Sequence, residues 1–229
     1  MQGGIDLGKA AIVVAHPDDE ILWFGSLIES VGQVVLCYGP NPRVAARGAQ
    51  RRRVADAYPL GTLVFLDLIE PDTWRGRSLG PIDEEIRRTS LEDRAHAETL
   101  RRALAPVLMG VSTVFTHNPW GEYGHDDHRR VHSAVSDLAG SMGLDVYVSA
   151  YVDRNALPLM AATALSGVAA SVSYPVDAAP IETVRQLYID QNCWTWSLDW
   201  HWPEREFFHC LGAGGTHHAT PCPWYIFNF

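Results

Sequence analysis

His16-Pro17-Asp18-Asp19-Glu20 places a histidine and three consecutive carboxylates within five residues. Adjacent carboxylates repel one another, and a divalent cation is the simplest agent that relieves the repulsion. His16 and Asp19 offer it one nitrogen and one oxygen donor, which leaves Asp18 beside them for proton transfer. A second cluster, Gly121-Glu122-Tyr123-Gly124-His125-Asp126-Asp127-His128, brings two histidines and two more aspartates. Brought together, the clusters supply a His-Asp-His set with open positions for water, as metal-assisted hydrolysis requires. Carboxylates favouring the start of a helix near Glu20 would explain the first cluster alone. The second cluster, placed in the same order behind its own strand, favours the metal site.

Each cluster follows an apolar run. Ala10–Ala15 reads as a strand covered on both faces, and Pro17 stops it by removing a backbone donor. Ser112–Thr116 reads as a second such strand, with Asn118-Pro119-Trp120-Gly121 marking the loop behind it. Between and beyond them the chain alternates. Helices are expected at Glu20–Ser30, Val44–Tyr58, Ser90–Leu104 (opened by Ser90-x-x-Asp93) and Asp127–Leu138, and further strands at Gln33–Cys37, Thr62–Asp67 and Asp145–Ser149. The alternation implies an α/β fold, a Rossmann-like three-layer sandwich with a mostly parallel central sheet. Such sheets place their sites at the carboxyl ends of strands, where both clusters lie.

Ala15-His16-Pro17-Asp18-Asp19-Glu20 together with Gly124-His125-Asp126-Asp127-His128 resembles the PIG-L/LmbE-like family of zinc-dependent N-acetylglucosamine deacetylases. The first motif matches the family's AHPDDE throughout. The second matches its H-P-D-H with Asp126 where Pro is commonest. Tyr188-Ile189-Asp190-Gln191 resembles the family's Y-x-x-Q. The helix after the second strand departs from the family's Arg-x-x-Glu, carrying Arg51-Arg52-Arg53 without the Glu. The resemblance implies that His16, Asp19 and His128 bind Zn2+ (or another divalent cation such as Fe2+) and that Asp18 is the general base. It implies that His125 points into the cavity as a charged hydrogen-bond donor, and that Asp127 holds a catalytic histidine in place. The substrate it implies is a small N-acetylated glycoside or glycoconjugate, cut at the amide by zinc-activated water.

The remaining sequence bounds this reading. At 229 residues a single domain over 1–229 is expected, with an irregular, aromatic-rich part from about 193. The net charge of −9 argues against a nucleic-acid or anionic-membrane surface. No apolar stretch approaches the ~20 residues of a membrane span and no leader pattern opens the chain, so a cytoplasmic protein is expected. Arg51–Arg53 read as the solvated face of a helix. Cys37 reads as a buried thiol, while Cys210 and Cys222 could pair. Trp194 to Trp202 read as packing more than as a sugar platform, which leaves Trp120 as the likelier substrate contact. His132, four residues after His128, reads as a packed histidine, and His117, His217 and His218 as surface or loop histidines. Two rival functions stand beside the deacetylase. A single-ion phosphoesterase would use the same ligands, and a non-catalytic sugar- or nucleotide-binding module would have no need of Asp18. No G-x-G-x-x-G follows the first strand, which weakens dinucleotide binding.

Overall fold

The structure, a computed structural model, describes residues 4–71, 91–154, 156–157, 160, 168–211 and 224–227. Its centre is a seven-stranded sheet in the order β3-β2-β1-β4-β5-β8-β7. The strands are β1 (Ala10–Val14), β2 (Gln33–Tyr38), β3 (Leu63–Leu68), β4 (Thr113–Thr116), β5 (Asp145–Ser149), β7 (Val168–Pro175) and β8 (Arg205–Leu211). The first five pair in parallel, and β8 runs antiparallel between β5 and β7. A small parallel pair, β6 (Tyr151–Asp153) with β9 (Tyr225–Phe227), lies beside it. The expected three-layer α/β sandwich is therefore present. The aromatic-rich stretch contributes β8, whose Phe208 stacks on Phe24.

Strand β1 shows why the fold has three layers. Its residues are completely buried, and alternate side chains enter opposite cores. Ile12 and Val14 meet α1 (Asp19–Phe24) and α5 (Ala178–Asp190) on one face. Ala11 and Val13 meet α3 (Leu91–Val107) and α4 (Asp126–Met142) on the other. A strand buried on both faces must be apolar throughout, as this one is.

Helix boundaries differ from expectation for local reasons. The helix read as Glu20–Ser30 is α-helical only to Phe24, whose φ of −140° breaks it, and a 3-10 turn follows at Gly25–Leu27. A β-carbon at Gly25 would lie 2.6 Å from Ile181 Cδ1, so glycine there permits α5 to pack closely. The helix read as Val44–Tyr58 is α2, Arg47–Asp56, because the Asn41 side chain accepts from the amides of Arg43 and Val44 and holds a turn there. Helix α4 extends to Met142, where Gly143 ends it at φ 71°. The Ser90 cap lies outside the described residues, as do Cys222, His217 and His218. Among the described residues no helix is long and apolar enough to cross a membrane.

Strand order reverses between β1 and β4, since β1 leads through α1 to β2 on its other side. Loops leaving β1 and β4 at their carboxyl ends diverge around a crevice there, the usual ligand position in such sheets. The two acidic histidine clusters fill that crevice.

Candidate metal centre and active site

The β1 cluster is a turn tied by its own carboxylates. Asp19 Oδ2 accepts from the His16 amide (2.7 Å), and Glu20 Oε2 accepts from the Asp18 amide (3.1 Å). Asp18 is thereby held at φ 101°, a left-handed conformation that favours glycine and strains any other residue. Glu20 is fully buried and accepts from Tyr188 (2.7 Å) and Tyr58 (3.3 Å). Burial raises its pKa to about 8. Tyr188, the tyrosine of the Y-x-x-Q segment, thus supports the turn from beneath.

Around this turn six residues expected from sequence converge. His16, Asp18, Asp19, His125 and Asp127 line a cavity of ≈ 260 Å3, and His128 lies buried beneath it. Ligand atoms of His16, His125 and His128 lie within 4.8 Å of one another, and so do those of Asp19, His117 and His128. His117 was expected in a surface loop; it is instead wholly buried, stacked on His128 with ring centroids 3.8 Å apart.

Hydrogen bonding decides which nitrogens remain available. His117 Nε2 accepts the amide proton of Ala15 (2.9 Å), so its other nitrogen carries the proton and donates to Glu122 Oε2 (3.0 Å). Both its nitrogens are engaged, which removes it as a ligand. His128 Nδ1 donates to the same Glu122 oxygen (2.7 Å). Its Nε2 is buried without an aligned hydrogen bond, although Asp19 Oδ1 lies 3.3 Å away. Such a nitrogen facing a carboxylate oxygen is the donor pair that a divalent cation takes. His16 lies beside this pair, with Nδ1 3.3 Å from Asp19 Oδ2 and Nε2 turned to Asp127 Oδ2 (3.3 Å) and Glu70 Oε1 (3.6 Å). The indole of Trp23 donates to Asp19 Oδ1 (3.0 Å) and orients that carboxylate.

Charge follows the same pattern. Burial opposes the charge on His128, but Asp19 and Glu122 outweigh it and lift its pKa to about 10. Burial likewise opposes the charge on His16, and Asp127 and Asp19 raise it to about 9. Asp19 is held well below the usual carboxylate range, burial being outweighed by His128 and His16. Without a cation, protons on two imidazoles balance these acids. The donor set therefore fits a divalent metal, whose binding requires those nitrogens to be deprotonated.

The other expected residues occupy distinct places. Asp18 is raised to about 7, first by burial and then by the adjacent Asp19 charge, while Thr195 pulls it down. Asp18 Oδ2 accepts from the Thr195 hydroxyl (2.6 Å) and amide (3.1 Å). Asp127 is bonded to His16 through one oxygen and to Arg130 through the other (2.7 Å), and donates its amide to His125 Nδ1 (3.1 Å). That last bond places the proton of neutral His125 on Nε2. Burial, with His128 and His16 nearby, presses the His125 pKa well below 6.5, against the charged donor that the resemblance implies. His132 donates to the His117 carbonyl (2.9 Å), a packing role.

Two further sequence readings need correction. Arg51 is not on a solvated face: it is buried, paired with Glu70 and bonded to the Gly39 carbonyl (3.0 Å). A buried guanidinium requires such a partner, and Glu70 from the end of β3 supplies it. Arg52 and Arg53 do remain exposed, bonded to Asp67 and Gln191 (2.7 Å each). Trp120 is only 1% exposed and packs with Val152, Ala156 and Trp224. Trp196 and Tyr123 line the cavity, together with Asn41, Arg43 and Arg47. Glu122, His117 and Thr195 had no local signal in the sequence.

Neither the protein-family models nor the curated proteins compared with the sequence match it. Solved structures do match its fold. The A40926 pseudoaglycone deacetylase Dbv21 is 14% identical, covering 91% of this chain and 100% of its own, at a TM-score of 0.58. A deacetylase–teicoplanin complex from the teicoplanin biosynthesis pathway is 12% identical, covering 88% and 97%, at 0.59. The zinc-inhibited form of the teicoplanin deacetylase Orf2 is 13% identical, covering 80% and 84%, at 0.51. At such identities the likeness establishes a shared fold: the chain is built on the α/β sandwich that these deacetylases use.

Proposed function

We propose that the chain is a metal-dependent amide hydrolase that removes an acetyl or related acyl group from the nitrogen of an amino-sugar glycoconjugate. One observation carries the reading. A buried imidazole nitrogen of His128 faces Asp19 without a hydrogen-bond partner, in the same crevice where Asp18 is held in a strained turn. The names of the structural neighbours, all deacetylases and one in complex with teicoplanin, support the reaction class and a glycoconjugate substrate. The AHPDDE resemblance supports it independently.

His16, Asp19 and His128 would hold the cation, zinc or another divalent ion such as Fe2+. When bound, it supplies Lewis acidity, favouring ionisation of water and polarising the acyl oxygen. Asp18 takes the proton of the attacking water; Thr195 occupies Oδ2 and leaves Oδ1 to receive it. His125, protonated at Nε2 because Nδ1 accepts from Asp127, donates a hydrogen bond to the developing oxyanion while remaining neutral. Asp18, now carrying a proton, returns it to the departing amine. Asp127 orients His16 through its side chain and His125 through its amide. Trp196 and Tyr123 offer the cavity's apolar surface to a sugar ring.

The test is incubation of purified protein, loaded separately with Zn2+ and Fe2+, with N-acylated glycosides, acylated glycopeptides and phosphate monoesters. Release of free amine and an equal amount of carboxylic acid is expected. Release of phosphate without amine, or stoichiometric metal binding without any hydrolysis, would overturn the reading.

A further inference from the structure

Glu122 is wholly buried, at a backbone φ of 54° that a non-glycine residue rarely holds. All four hydrogen bonds of its carboxylate come from buried groups. Oε1 accepts from the Asn118 amide (3.0 Å) and the Ser149 hydroxyl, and Oε2 accepts from Nδ1 of both His117 and His128. Gly121 beside it sits at φ 67°, and a β-carbon there would come within 3.1 Å of Arg129 and 3.3 Å of His128. The backbone is thus bent so that one carboxylate reaches under two stacked imidazoles.

The consequence is a fixed choice of nitrogen. An imidazole ligates through the nitrogen without a proton, and the partner of the other nitrogen decides which one that is. Glu122 can only accept, so it holds a proton of His128 on Nδ1, and when the other proton is released the lone pair is left on Nε2, beside Asp19. The same oxygen keeps the proton of His117 on Nδ1, so that His117 Nε2 accepts from Ala15 at the end of β1. The chain Ala15–His117–Glu122–His128 therefore ties the strand carrying His16 to the helix carrying His128.

We propose that Glu122 is the positioning residue of the metal centre: it sets the proton position of His128 and, through His117, holds the turn after β1 and the start of α4 in register. This rests on the reading of His128 as a ligand.

The test compares Glu122→Gln with Ser149→Ala in the full chain. A glutamine cannot satisfy both sides. With its amide nitrogen toward the histidines it opposes two N–H groups, and with its oxygen there it opposes the Asn118 N–H. Zn2+ affinity, measured by chelator competition, should fall about 10–100-fold in Glu122→Gln, the usual effect of losing a ligand's supporting carboxylate. Ser149→Ala removes a bond to the same carboxylate without touching either histidine, and should leave affinity near wild type. Nitrogen-15 spectra of ring-labelled histidine should show a slowly exchanging His128 Nδ1–H in Zn2+-loaded wild type, lost or fast-exchanging in Glu122→Gln. Wild-type affinity and unchanged histidine signals in Glu122→Gln would overturn the proposal, as would equal loss in Ser149→Ala, which would signify general loosening. If wild-type protein takes up no Zn2+, the functional reading fails. The hydrogen-bond assignment is then judged on metal-free His117, where Nδ1–H supports it and Nε2–H refutes it. Metal-free spectra also serve if Glu122→Gln does not fold.

Discussion

Replacing Thr195 by valine tests how the proposed base is tuned. Valine matches the shape of threonine, and the Thr195 amide keeps its 3.1 Å bond to Asp18, so only the 2.6 Å hydroxyl bond is lost. A hydrogen bond to a charged acceptor contributes ~1.5–3 kcal/mol, and one pKa unit corresponds to ~1.4 kcal/mol, so the loss is equivalent to ~1–2 units. Thr195 is exposed, and solvent screening points to the lower end, about one unit. The sign is unambiguous. The hydroxyl stabilises ionised Asp18, whose pKa is about 7, so its removal moves that value up. Asp18 acts deprotonated, and the acidic limb of kcat/KM should shift to higher pH by about one unit. A group half ionised at neutral pH would become about one-tenth ionised, a roughly fivefold loss there, recovered on the alkaline plateau. A bound cation lowers Asp18 in both proteins, so the displacement between two profiles is the quantity to measure. Thr195→Ser should retain the wild-type profile. A uniform loss at every pH, with no displacement, would refute the argument and assign the hydroxyl to substrate contact or packing.

Asp18→Asn should reduce the rate by about 10²–10⁴ while metal content by mass spectrometry stays at the wild-type level; near-normal turnover would remove Asp18 as the base. His16→Ala and His128→Ala should each lose most bound metal, whereas His132→Ala should keep it; the reverse pattern would invalidate the ligand set. Burial presses the His132 pKa from 6.5 to about 4, opposed by its bond to the His117 carbonyl. A depressed folded-state value contributes stability that is present above pH ~6.5 and disappears as pH falls toward ~4, by up to ~3 kcal/mol and less for a partly exposed ring. Urea unfolding at pH 7 and 4.5 should therefore show a smaller acid-side loss in His132→Gln than in wild type, and parallel losses would contradict a buried neutral His132.

The alternating pattern made the sheet legible because β1, β2 and β4 are short apolar runs bounded by turn residues, and the reversal at β1 follows from two crossovers. Both clusters were legible because each is contiguous. What escaped is long-range. Thr195 meets Asp18 across 177 residues, and no local pattern relates them. His117 resembled a loop histidine because Asn118-Pro119 follows it, yet its burial is set by the neighbouring strand's Ala15 amide. Glu122 stood in the second cluster without a role; its positive φ and burial show that it points inward. Trp120 misled because adjacency to a motif is not adjacency to a cavity, and its ring turns toward Trp224.

The segment from Tyr188 to Trp202 has a bearing on when the site comes into being. It grips the first loop at three points: Tyr188 on Glu20, Thr195 on Asp18, and the Trp202 indole on the Ile21 carbonyl. During synthesis at ~5–20 residues per second, roughly nine to thirty-five seconds separate emergence of Asp18 from that of Thr195, 177 residues later. Throughout that interval the nascent chain already holds His16, Asp19 and, later, His128, while the acid between them still lacks the groups that brace it. On the proposed assignment, the metal ligands and the groups that tune the base therefore leave the ribosome at different times. On the proposed function, the ligands are all synthesised before the base is braced, and hydrolysis waits for the segment from Tyr188 to Trp202 to dock.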